Sequence, residues 1–289
     1  MLTEAILRKM WPHGDSRVPG LIAGIAAAAP RVFPKYDFTS DIEIAQAMAQ
    51  FSHECGGGTE MIENRNYSAQ RAAEVWPLRQ NDLHPERHFA DAPDCYRKCG
   101  SYAGDPDFHR KLLNLVYGTR MGNRPGTDDG YNLVGRGLPQ TTGRDGYAAL
   151  GKKLGLDLLA NPDLVNLPNN ALEAGIADFV LCGCLPFAKK DDTLEVTKHL
   201  NGGTIGLAER EQWLIRWKEV LAGSPPVPKA APSPTPKTIA AGTVVVAGTV
   251  AAQQAHSAGA HLGIVVAIGV ATIVCAVAVW FFIHKRQQT

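Results

Sequence analysis

Apolar positions recur at helical spacing over the first 221 residues, and the recurrences have readable ends. Ser40-Asp41-Ile42-Glu43 reads as a capping box, and the helix it opens carries Ile44, Met48 and Phe51 on one stripe. Gly56, Gly57 and Gly58 stop that helix just after Glu54. The same pattern predicts helices over Pro19 to Ala29, Phe108 to Tyr117, Arg144 to Leu154 (closed by Gly155), Asn170 to Cys182 and Leu207 to Leu221. The last places Trp213 and Trp217 one turn apart. Runs of period two are nearly absent, so the expected domain is mainly α with long irregular loops.

The pattern changes sharply after residue 223. Residues 224–237 read SPPVPKAAPSPTPK, a proline-rich stretch that suits an extended spacer and marks the end of a domain over 1–223. From Leu262 to Ile283 no charged residue occurs. That run is long enough to cross a ~30 Å hydrocarbon core as a helix, and it ends in Trp280, Phe281 and Phe282 before the basic tip 284–289. A weaker apolar segment, 238–255, precedes it. Two topologies stay open: a hairpin with Lys229, Lys237, Lys285 and Arg286 on the cytoplasmic side, or a single span. Either way the chain is expected at a membrane, the bacterial inner membrane in particular, with the side of the soluble domain open. The N-terminus lacks the layout of a signal peptide, because Glu4 falls early and the apolar run 21–29 comes late.

The formal net charge of +1 gives no electrostatic ground for a nucleic-acid partner. Six cysteines are scattered through 289 residues, which implies no disulfide framework. Cys95/Cys99 and Cys182/Cys184 would make a four-thiolate zinc site only if the pairs met in space; their spacings favour buried free thiols instead. No metal or cofactor is called for.

Candidate chemistry lies in FSHECGGGTEMIENRNYSA, residues 51–69. Glu54 ends a helix and Glu63 follows nine residues later, across the glycines. Hydrolysis of a glycosidic bond needs an acid for the leaving oxygen and, for inversion, a base that activates water on the opposite face. The glycines are expected to turn the chain and to leave a groove floor free of side chains. On spacing alone, two solvated surface carboxylates remain the alternative.

Further motifs tip this balance. His53-Glu54-Cys55-Gly56-Gly57 is followed by Glu63-Asn64-Arg65-Asn66-Tyr67-Ser68-Ala69, then by Tyr117 to Asn123 (Tyr-x-x-Arg-Met-Gly-Asn) and Asp128-Asp129-Gly130-Tyr131. Gly135 to Asp145, Asn161 to Leu164, Asn201-Gly202-Gly203 and Arg210 complete the series. In this order the motifs resemble glycoside hydrolase family 19, the chitinase-like group, and especially its compact lysozyme-like bacteriophage and prophage members. The resemblance spans roughly residues 36–217. It implies a lysozyme-like two-lobed, mainly α domain with a central cleft. It implies Glu54 as general acid and Glu63 as general base in an inverting hydrolysis of β-1,4 bonds. It further implies Gln140, Thr142, Asn201 and Tyr67 as substrate-binding residues, with Arg210 and Arg136 in support.

Four positions depart from the family pattern: Cys55 in place of Ser or Thr, Gly58 in place of an aromatic, Gly146 in place of Asn, and Pro139 in place of an aliphatic residue. They leave the acid and base intact and fall on binding positions. Peptidoglycan is the expected substrate, because the domain is compact and the apolar C-terminal run sets it beside a cell wall; chitin-like polymers of N-acetylglucosamine are the alternative. A catalytically inactive, membrane-anchored glycan-binding protein is the competing reading from another class, and a lysis element in the C-terminal region is a third.

Overall fold

The computed structural model describes residues 2–222. The expected linker 224–237, the apolar segments 238–255 and 262–283 and the tip 284–289 lie outside the described residues. Among the described residues no helix is long and apolar enough to cross a membrane.

Twelve α-helices are found among the described residues: α1 (Glu4–Met10), α2 (Leu21–Lys35), α3 (Asp41–Glu54), α4 (Ala69–Val75), α5 (Ala92–Cys99), α6 (Phe108–Tyr117), α7 (Asp129–Asn132), α8 (Gly143–Leu154), α9 (Pro168–Leu181), α10 (Leu185–Ala188), α11 (Thr193–Asn201) and α12 (Leu207–Leu221). β-structure among them is limited to isolated bridges, Ile62 with Arg136 and Arg136 with Thr141 among them. The mainly α expectation therefore holds.

Two hydrophobic clusters organise these helices. The larger joins α1, α2, α3, α8, α9, α11 and α12 around residues such as Phe51, Phe179 and Trp217. The smaller joins α4, α5 and α6 with Trp76, Phe89 and Val134. Each cluster is the core of one lobe.

α3 is the central element. Its capping box forms as read: Glu43 N–H donates to Ser40 Oγ at 3.4 Å, and Ser40 N–H to Glu43 Oε2 at 3.3 Å. Ile44, Met48 and Phe51 are buried. Ser52 joins three helices at a single oxygen. Trp11 Nε1, just past the end of α1, and Trp217 Nε1 on α12 each donate to Ser52 Oγ at 2.8 Å, while that hydroxyl donates to Met48 O at 2.6 Å. Both lone pairs and the proton are thus used. The two indoles meet edge to face, centroids 6.0 Å apart.

α2 differs from its prediction. It starts at Leu21 and runs through Pro30 and Pro34 to Lys35. Proline costs an intrahelical hydrogen bond. Here burial of Ala28, Ala29, Val32 and Phe33 outweighs that cost and carries the helix six residues past the expected end.

Candidate active site

Glu54 is the last residue of α3, and its position is fixed from α12. Arg210 is fully buried; its Nη2 donates to Glu54 Oε1 at 2.5 Å and its Nη1 to Gln50 Oε1 at 2.5 Å. Gln50 Nε2 donates in turn to Thr197 Oγ1 of α11 at 3.0 Å. Glu54 and Gln50 share a helix face because they are four residues apart. Glu54 Oε2 has no protein partner among the described residues, which leaves that oxygen for chemistry.

Beside Glu54, burial and then the Arg210 charge push His53 below its ordinary range, so its ring is neutral near pH 7. Its Nε2 is buried without a hydrogen-bond partner among the described residues. A side-chain carbon at Gly206 would stand 2.4 Å from that atom, so the 201–206 loop packs directly on the imidazole.

The chain leaves Glu54 through three residues of left-handed backbone, with φ of 55°, 64° and 88° at Gly56, Gly57 and Gly58. Their use differs from the expected groove floor. Gly57 and Gly58 are buried, and added side-chain carbons would come within 3.0 Å of Trp11 Cδ1 and of the Gly14 backbone. They let α3 close against the N-terminal segment. Cys55, where the family pattern has Ser or Thr, caps this turn: its Sγ accepts the Gly58 N–H at 3.3 Å, and burial pushes the thiol up to about 12.

Glu63 is held by a different framework. Its backbone N–H donates to Gly135 O at 2.9 Å, and the Gly135 N–H returns to Glu63 Oε2 at 3.2 Å. Tyr117 of α6 donates its hydroxyl to Glu63 Oε1 at 2.8 Å. Burial raises the Glu63 carboxyl above the usual range, opposed by the Tyr117 and Gly135 bonds and by the Arg136 and Arg120 charges. The Tyr117 hydroxyl is pushed far up by its own burial and by Glu63, so it stays a donor.

Gly135 is where a bare backbone matters. A side-chain carbon there would lie 2.9 Å from Gln140 Oε1 and 3.2 Å from Thr142 Oγ1. Glu63, Gln140 and Thr142 are thus gathered around one glycine. Gln140 adopts φ of 58°, rare for a side-chain-bearing residue, and its Nε2 donates to Glu60 O at 2.9 Å and Gly137 O at 3.0 Å. It pins the loop that connects the two carboxylates. Thr142 Oγ1 donates to Gln140 O at 2.8 Å.

The other expected residues are engaged by the chain itself. Asn201 Nδ2 donates to Ile205 O at 3.2 Å and its Oδ1 accepts the Gly203 N–H at 2.8 Å, so its amide shapes the loop over His53. Tyr67 is buried edge to face on Trp76, centroids 5.0 Å apart, and burial followed by the Glu63 charge raises its hydroxyl. Arg136 is buried, bonded to Asp163 at 2.6 Å and to Asn132 O at 2.8 Å, and holds the 132–136 turn that presents Gly135. The cysteine pairs do not meet: Cys95 and Cys99 belong to the smaller cluster, Cys182 and Cys184 to the larger.

Sequence reasoning assigns no site role to Tyr117, Gln50 or Thr197. Tyr117 opens the Tyr-x-x-Arg-Met-Gly-Asn motif, and Gln50 stands one helical turn before Glu54, so both carried a signal. Thr197 carried none.

No family model matches the chain. It is 29% identical over 211 residues to a glycosyl hydrolase family 19 domain-containing protein of Haemophilus influenzae, an alignment covering 73% of this chain and 92% of that one. Among solved structures, chitinase C from Streptomyces griseus aligns with a TM-score of 0.44 and 20% identity over 79% of each chain. A mutant of chitinase C aligns at 0.41 and 19%, covering 79% of this chain and 95% of that one. Over those 211 residues the chain is thus similar to a protein described by its glycosyl hydrolase family 19 domain.

Proposed function

We propose that this chain is an inverting glycoside hydrolase that cuts β-1,4 bonds of peptidoglycan. One observation carries the reading: two carboxyl groups nine residues apart in sequence are anchored in different lobes, Glu54 by Arg210 in the larger and Glu63 by Tyr117 in the smaller. A substrate lying between the lobes meets one carboxyl on each side.

In the proposed step Glu54 gives a proton from Oε2 to the leaving glycosidic oxygen as the bond to the anomeric carbon breaks. Glu63 takes a proton from a water that attacks the same carbon from the opposite face, so the new hydroxyl carries inverted configuration. A carboxyl raised towards neutrality is a stronger base once ionised, and the Tyr117 and Gly135 donors keep it ionisable. Gln140 and Thr142 line this side of the site; Asn201 and Arg210 support the other.

Peptidoglycan is favoured over chitin by the compact domain and by the apolar run 262–283, which would hold the enzyme at the bacterial inner membrane. The test is product analysis on purified peptidoglycan, with anomeric configuration read by NMR. Glu54→Gln should lose activity on the polymer yet recover on an aryl glycoside whose leaving group needs no proton. Glu63→Gln should lose both. Full activity of both variants on the polymer would refute the reading.

A further inference from the structure

Two arginines near Glu63 make no ion pair among the described residues, although the Arg120 charge still acts on Glu63 at longer range. Most of their neighbours are paired: Arg124 and Arg144 reach Asp129, and Arg136 reaches Asp163. Arg65 and Arg120 have no carboxylate within ion-pair distance among the described residues. Each instead rests on an aromatic ring. Arg65 lies 4.9 Å over Tyr131 and Arg120 lies 5.9 Å over Tyr117.

Both rings belong to the Glu63 framework. Tyr117 bonds Glu63 directly. Tyr131 is tied by its backbone N–H to Asn114 Oδ1 at 2.8 Å, one turn before Tyr117 on α6, and leads into the segment whose Gly135 bonds Glu63. Arg65 itself is two residues past Glu63. Arg65 and Tyr131 are each partly exposed, and so is Arg120. A guanidinium seated over a ring has less side-chain freedom to lose when its N–H groups take a planar anion.

A neutral chitin strand offers such groups only amides and hydroxyls. A muramyl glycan carries a lactyl ether whose acid, or the peptide attached to it, presents carboxylates along the strand. Resting on the glycan reading above, we propose that Arg65 and Arg120 form a shelf beside Glu63 that takes a carboxylate carried on the lactyl substituent of a muramyl unit. The chain thereby selects acidic glycan over chitin.

The test uses the full chain with Glu54→Gln to silence hydrolysis. Binding is measured by calorimetry to three soluble glycans: muramyl strands with peptides, the same strands after amidase removal of the peptides, and chitin oligosaccharides. Arg65→Gln and Arg120→Gln should each weaken muramyl binding about fivefold, while chitin binding stays within about twofold, as for a partly exposed ion pair. The effect should shrink with added salt. Loss on both muramyl strands identifies the lactyl acid as the recognised group; loss only on the peptide-bearing strand identifies the peptide. Arg65→Lys keeps the charge and should retain part of the preference, which guards against misfolding of the Gln variants. Equal losses on muramyl and chitin strands, no loss on either, or no muramyl binding at all would overturn the proposal. If the unsilenced chain fails to hydrolyse peptidoglycan while Arg65-dependent binding persists, the hydrolase reading falls and the shelf stands.

Discussion

Arg210 is the residue on which Glu54 most depends, and its replacement by methionine gives a strong test. The guanidinium is fully buried and the Glu54 side chain is 6% exposed, so neither group is rescued by bulk water. Arg210→Met leaves a carboxylate and the Gln50 carbonyl without their donor. Breaking a buried pair on one side costs about 3–5 kcal/mol, a large share of a typical total of about 5–15 kcal/mol. In a domain of this size the melting temperature should fall by about 10 °C. Glu54→Gln should cost less, because the amide oxygen still accepts from Nη2. The double variant removes both charges and should be more stable than the sum of the single losses predicts, with a coupling of about 2 kcal/mol. Urea denaturation of all four proteins, followed by far-UV circular dichroism, gives the cycle. Additive losses, or Arg210→Met within about 0.5 kcal/mol of the parent, would refute the argument.

Other outcomes follow from single groups. Burial pushes Asp178 up to about 6, opposed by the Thr141 hydroxyl. A raised carboxyl binds its proton more tightly in the folded state, so its stabilisation is full below the ordinary range near 3.8 and lost as pH rises through about 6. Asp178→Asn should therefore gain about 2 kcal/mol on the parent between pH 4 and 7, allowing for partial exposure; a constant difference across that window would count against it. Tyr117→Phe removes a donor that favours the Glu63 carboxylate, so the acid limb of the pH–rate profile should move up by about half to one unit; an unmoved limb would exclude Glu63 as the base. Gly206→Ala should destabilise clearly more than Gly155→Ala. Both have left-handed backbone, worth about 1 kcal/mol each, but only Gly206 also meets the His53 ring. Equal thermal shifts would show that the loop moves aside.

What could be read from sequence follows from how local each signal is. α3 and α12 carry regular apolar stripes and clean ends, and the structure has them at the expected residues. α4, α5 and α11 are seven to nine residues long and too polar to show a period, yet Ser68, Asp91 and Asp192 cap each one with a side-chain bond. Those caps were legible as residue types but not as helix starts. The end of α2 is not legible locally, because Pro30 is a stop signal in sequence whereas the burial that overrides it is tertiary. The site divides in the same way. Glu54 and Glu63 stand out by spacing. Their partners lie 156 and 54 residues away, at Arg210 and Tyr117, and no local pattern joins such positions. Motif order brought Arg210 into view as a supporting residue; the Gln50 and Thr197 links behind it were visible only in three dimensions.

The hydroxyl of Ser52 ties α1 to α12, the first and last helices among the described residues, and this sets an order of assembly. A nascent chain can build the smaller lobe and most of the larger while Trp217 and Arg210 are still unmade. Until α12 arrives, Glu54 has no counter-charge and Ser52 lacks one of its two indoles. A fragment ending before that helix lacks both anchors, so the proposed acid is set in place only once residue 217 has been made.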